Sequence, residues 1–183
     1  EYAAAFGGLN LYKFTKNKVI VRPINLKKST LKELQDYSLL FRLGSREHSM
    51  GILQSQIRAI NQSNKITLSS LHKAKELALE MYDALKENDL TKFSDILNKG
   101  WEAKRNYTKG VTNSRIEMIS KNAIKNGAMA LKVTGAGGGG HFFIYAKPSK
   151  HNSITKSLKK LGVNNVDFKY QDSGAKVFDI KNL

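Results

Sequence analysis

The stretch Lys132-Val133-Thr134-Gly135-Ala136-Gly137-Gly138-Gly139-Gly140 sets five glycines in six positions between two β-prone runs, Ala128 to Val133 and His141 to Ala146. Glycine loses more backbone freedom on folding than any other residue, so a chain that keeps five together needs positive φ angles or a close backbone approach. A flexible hairpin turn fits the same pattern, and both readings stay open on the residues alone. Two familiar phosphate loops are excluded. Gly135, Gly137 and Gly140 match GxGxxG formally, but that motif opens a helix and needs an acidic residue about 20 positions later. Here a strand follows, and no Asp or Glu lies between Glu117 and Asp167. A Walker loop fails because no Gly-Lys-Ser or Gly-Lys-Thr follows the glycines.

The segments around the loop supply its context. Leu9 to Phe14 and Val19 to Ile24 read as a hairpin across Thr15-Lys16-Asn17-Lys18. Ser29 to Tyr37 reads as a short helix and Ser38 to Leu43 as a buried strand. Leu68, Leu71, Ala74, Ala78, Met81 and Leu85 recur at helical spacing, as do Leu90, Phe93, Leu97 and Trp101. Ser114 with Glu117 fits a capping box for a further helix that Gly127 stops. Beyond Pro148, Ile154, Leu158 and Leu161 mark a helix over Ser149 to Leu161, and Val166, Phe168 and Tyr170 alternate in a closing strand over Val163 to Tyr170. The order predicts an α+β fold, an antiparallel sheet with helices packed on one face.

Composition narrows the function classes. At 183 residues and 40% hydrophobic, the chain is long enough for one or two packed domains. No apolar run approaches the roughly 20 residues that span a bilayer, and Glu1-Tyr2-Ala3-Ala4-Ala5 lacks the basic segment of a secretory signal. The expectation is a soluble cytoplasmic protein with no membrane partner. A chain beginning at Glu also predicts that sequence precedes residue 1. Without cysteine there is no disulfide, thiol nucleophile or thiolate metal site. His48 and His72 lack a partner at ligand spacing, so no protein-held metal is assigned.

The net charge of +16 invites a nucleic-acid reading. Its makeup argues otherwise: 25 of the 31 basic residues are Lys and six are Arg, spread over nearly every segment. The aromatics fall in apolar strand runs rather than among the basic residues. A basic nucleic-acid-binding module, or a purely structural domain, is kept as the alternative reading. The surplus of positive charge is also compatible with an anionic substrate.

Lys-x-Thr-Gly-Ala-Gly-Gly-Gly-Gly between two strands resembles the third conserved motif of the GHMP kinases. Other segments agree. Glu1-Tyr2-Ala3-Ala4-Ala5-Phe6-Gly7-Gly8-Leu9-Asn10 resembles the stretch just after the catalytic aspartate in the family's heptose-phosphate kinases. Arg42-Leu43-Gly44-Ser45-Arg46-Glu47-His48-Ser49 resembles their Thr-Ser-Arg-Glu segment. Gly100-Trp101-Glu102-Ala103-Lys104 and Gly110-Val111-Thr112-Asn113 resemble their Trp-x-x-Lys and Gly-Ile-Ser-Asn stretches.

The resemblance implies an N-terminal domain followed by a ferredoxin-like C-terminal domain, with ATP and the acceptor in the cleft between them. Residues 1–24 would be the end of the first domain, a strand hairpin, and residues 25–183 the second. The implied activity is ATP-dependent phosphoryl transfer, with Mg²⁺, to a sugar or sugar phosphate of the heptose class. The phosphate loop and the catalytic aspartate would lie upstream, the aspartate immediately before Glu1. No catalytic residue is then expected in this chain, which alone should be inactive without the missing N-terminal half as partner.

Thr134, Gly135, Ala136, Gly137, Gly138, Gly139 and Gly140 are implied as the ATP- and substrate-proximal loop. Ser45, Arg46 and Lys104 are candidate substrate contacts, Arg46 because a guanidinium grips a phosphate bidentately. Lys132 reads equally as a solvated strand lysine, Thr134 is the better polar candidate, Trp101 reads as core, and His141 reads as structural or as aimed into the site. Because the loop lies between strands, Gly137→Val is expected to remove activity and leave folding intact.

Overall fold

The computed structural model describes residues 1–44 and 49–176. A four-stranded sheet organises the chain: β3 (Ser38–Gly44), β4 (Ala128–Val133), β5 (Gly140–Ala146) and β6 (Asn164–Val166) stand in the order β4-β5-β3-β6, every pair antiparallel. Successive side chains point to opposite faces of a strand, and the sequence uses that period directly. Leu39, Phe41 and Leu43, Leu131 and Val133, and Phe142, Ile144 and Ala146 share one buried cluster. Ile116, Ile119 and Ala123 of α6 (Ser114–Lys125), with Ile154 and Leu158 of α7 (Pro148–Lys159), close over it. Phe41, Val133, Phe142 and Ile144 are fully buried, each large side chain contributing about 1.5–3 kcal/mol.

The chain order β3, helices, β4, β5, α7, β6 is a split βαβ repeat, the ferredoxin-like topology. The α+β expectation holds, with α6 and α7 covering one face of the sheet. The helix before β3 and two of those between β3 and β4 bury residues of the alternate positions in a second cluster. There Ala130 and Tyr145 meet Leu34 of α2 (Lys28–Tyr37), Leu85 of α4 (Lys65–Lys86), and Leu90 and Phe93 of α5 (Leu90–Arg105). The hairpin β1 (Asn10–Phe14) and β2 (Val19–Pro23) forms as expected and packs Leu9 and Ile24 on that cluster.

Edge strand β4 is paired by side chains rather than by a further strand. The Asn98 amide donates to Met129 O at 2.8 Å and accepts from Leu131 N at 3.3 Å, so α5 lies along the open edge and blunts it.

Two sequence expectations need correction. The closing strand ends at Val166, because Gln35 of α2 takes over the backbone beyond it: its amide donates to Phe168 O at 3.2 Å and accepts from Tyr170 N at 2.8 Å. The cap of α6 is Asn113, whose side chain accepts from Ile116 N at 3.0 Å. Ser114 is already the first helical residue, and no Ser114–Glu117 box forms. Two helices went unpredicted: α1 (Tyr2–Phe6) and α3 (Ser49–Asn61). Among the described residues no helix is long and apolar enough to cross a membrane.

Candidate functional site

The glycine loop leaves β4 at Thr134, whose N–H and hydroxyl both donate to His141 O, at 2.9 and 3.2 Å, closing the base of the β4–β5 turn. Beyond it Gly135, Gly137, Gly138 and Gly140 take φ of 69°, 104°, 73° and 81°, a region that L side chains rarely adopt. Two of these positions are also closely packed. A Cβ on Gly137 would stand 2.7 Å from Val111 O and 2.9 Å from Val111 Cα, and one on Gly138 would stand 2.5 Å from Ile52 Cδ1. Gly138 N–H donates to Val111 O at 2.8 Å.

The loop therefore docks on the Gly110–Asn113 segment, so two stretches singled out separately in the sequence meet in space. The expectation that Gly137→Val would spare folding needs correction, since Gly137 is packed against backbone. At Gly135, with nothing within 4 Å of an added Cβ, the positive φ is the constraint that favours glycine.

From the other side the loop is held by Lys104. Its ammonium donates to Val133 O at 2.9 Å and to Gly135 O at 2.5 Å, and the residue is 8% exposed. Burial first, and then the nearby Lys132 charge, lower its pKa from 10.5 to about 8. Lys104, a candidate substrate contact in the sequence, thus sits under the loop on main-chain oxygens.

Next to it Arg105 reaches Glu102 at 2.7 Å and Glu117 at 2.5 Å, and Glu117 also accepts from the Thr112 hydroxyl. These contacts tie the end of α5 to the start of α6. Trp101 is core, 3% exposed among the residues of the α6–α7 face.

A cleft of about 330 Å³ opens where the end of β3, the start of α6 and the loop meet, lined by Gly44, Asn113, Arg115, Gly138 and Gly139 among others. The N–H groups of Gly137 and Gly139 have no acceptor among the described residues. Strung N–H groups and the N-terminus of a 12-residue helix both favour negative charge. Sequence reasoning missed Arg115. Its signal was a basic residue in the first turn of a helix, where the macrodipole disfavours a cation. Missed as well were Ile52 and Val111, whose role as the loop's dock depends on chain segments far apart in sequence.

Ser45 and Arg46 lie outside the described residues, as does His48. His141 is half-buried at the start of β5, and His72 is exposed on α4. Among the described residues no group of three or more His, Cys, Asp or Glu could hold a metal ion.

The fold has counterparts among known proteins. Residues 81–164 match the family described as GHMP kinases C terminal. The chain is 33% identical over 181 residues to a D-glycero-alpha-D-manno-heptose 7-phosphate kinase of Campylobacter jejuni, covering 98% of this chain and 53% of that kinase. A solved D-glycero-D-manno-heptose 1-phosphate kinase from Bacteroides thetaiotaomicron superposes with a TM-score of 0.65 at 27% identity, covering 97% of this chain and 48% of that one. Leishmania major mevalonate kinase shares the fold, with a TM-score of 0.68 at 21% identity over 87% of this chain and 47% of that one. The chain thus spans about half the length of the heptose kinase it matches.

Proposed function

We propose that this chain, which carries a GHMP kinase C-terminal domain over residues 81–164, is the C-terminal part of an ATP-dependent kinase whose acceptor is a sugar phosphate of the heptose class. The observation that carries the reading is the cleft where Gly138 and Gly139 of the loop, the N-terminus of α6 and Arg115 meet, with the Gly139 N–H lacking an acceptor among the described residues. Residues 1–24 are read as the end of a preceding domain and residues 25–183 as the second domain. The rest of the site, including the catalytic group, is then supplied by the N-terminal half. A cytoplasmic setting, where ATP is available, belongs to the same reading.

Phosphoryl transfer depends chiefly on positioning and on neutralising charge spread over phosphate oxygens. This chain's part in that is fixed by its backbone. Lys104 and Val111 hold the loop from opposite sides, so its free N–H groups are ordered before an oxyanion arrives and lose little entropy on binding it. Arg115 adds a planar double donor suited to a phosphate. Mg²⁺ supplies charge neutralisation in reactions of this class. The described residues offer no carboxylate cluster to hold it, so its ligands would be phosphate oxygens and groups outside them.

The test is Arg115→Met in the longer gene product that contains this chain. With ATP and heptose 7-phosphate, KM for the acceptor should rise about tenfold or more, as expected for losing a charge-assisted contact, with Tm unchanged. An unaltered KM would remove Arg115 and this cleft from the reading.

A further inference from the structure

A second cavity, of about 370 Å³, lies between the β1–β2 hairpin and helices α4 and α5. Its walls are mainly apolar, with Leu9 and Ile24 from the hairpin side, Leu77, Met81 and Leu85 from α4, and Leu97 from α5, while Asn10, Tyr12 and Tyr82 add polar groups. One lining residue carries charge, Lys132 of β4, and no Asp or Glu lines it. Lys132 has neither a hydrogen bond nor an ion pair among the described residues, and the hydroxyl of Tyr107, another lining residue, is equally without a partner. Both polar atoms keep some accessible surface, since no described buried side-chain nitrogen or oxygen lacks a bond.

An ammonium facing apolar walls is costly unless an opposite charge meets it. We propose that this cavity is a binding site for a small organic anion, an oxyanion carried on an apolar body, with Lys132 and Tyr107 gripping the oxyanion and the α4 and hairpin side chains taking the body. Apolar side chains make up most of the lining and favour an apolar body, so this ligand is of a different class from the proposed acceptor. Burial already depresses the Lys132 pKa, and its repulsion with Lys104 adds to the demand for a nearby anion.

The probe is octanoate, titrated calorimetrically into the longer protein that contains this chain, with octanol and inorganic phosphate as controls. Octanoate should bind at least tenfold more tightly than either. Lys132→Met should bring octanoate down to the octanol level, leave octanol binding in place, and raise Tm without ligand, because an uncompensated ammonium is gone. Lys132→Arg should restore the preference for the anion, and Tyr107→Phe should weaken octanoate a few-fold. Should the methionine variant not fold, Lys132→Gln carries the same comparison. The proposal is overturned if octanoate binds no better than octanol, if inorganic phosphate matches it, or if the Lys132 variants bind octanoate as the parent does.

Discussion

The Lys104 ammonium stands 2.9 Å from the Val133 carbonyl oxygen and also donates to Gly135 O, so one buried side chain spans the junction between β4 and the glycine loop. A methionine there keeps the volume and removes both donors. Leaving a buried acceptor without a partner costs about 1–3 kcal/mol, and Lys104→Met should lower thermal stability by that order.

The same lysine gives stability a pH dependence with a definite sign. Its pKa falls from 10.5 to about 8 on folding, so between those values the unfolded chain binds the proton and the folded chain does not. Stability then rises with pH across that window. Below about pH 8 the full cost of burying the charge is present. Above it, the neutral amine keeps two N–H donors for the two carbonyls. Urea unfolding of the parent minus that of Lys104→Met, measured from pH 7 upward, should show the parent's gain; a flat difference would contradict the buried, carbonyl-bound ammonium.

The loop glycines should separate into two kinds. Gly135→Ala meets open space and bears only the left-handed conformation, about 1 kcal/mol. Gly137→Ala adds a clash with Val111 backbone and should lose roughly 3 kcal/mol or more. Chemical denaturation of the two variants gives the comparison, and equal losses would mean that the loop does not dock on Val111.

Asn113 rather than Ser114 caps α6, and its amide also reaches Gly138 O at 3.4 Å. Asn113→Ala should cost about 1 kcal/mol, with Ser114→Ala near neutral. The reverse order in thermal melts would restore the capping box read from sequence.

What the sequence disclosed and what it hid differ in physical kind. Period-two alternation in β5 and the helical stripe of Ile116, Ile119 and Ala123 are local signals, and they located the sheet and a helix that covers it. The glycine run disclosed a loop needing positive φ, since composition alone reports backbone demand. Its partners were not legible: Val111 lies 26 positions before Gly137, and nothing local tells a lysine on an amphipathic helix to turn onto a strand edge. Helix α3 went unread although Met50, Leu53, Ile57 and Ile60 recur at helical spacing; in the structure this stripe is exposed, and the neighbouring Ile52 makes the buried contact. The last strand was overread because Phe168 and Tyr170 alternate correctly, while Gln35 occupies the backbone that a ladder would use.

The central claim is tested most directly by ADP formation from ATP in the longer protein that contains this chain, with and without D-glycero-D-manno-heptose 7-phosphate, the sugar product being identified by mass spectrometry. The account predicts ADP release that depends on the heptose phosphate, with one phosphoryl group gained by the sugar. ADP release indifferent to the sugar, or a heptose phosphate recovered unchanged, would contradict it.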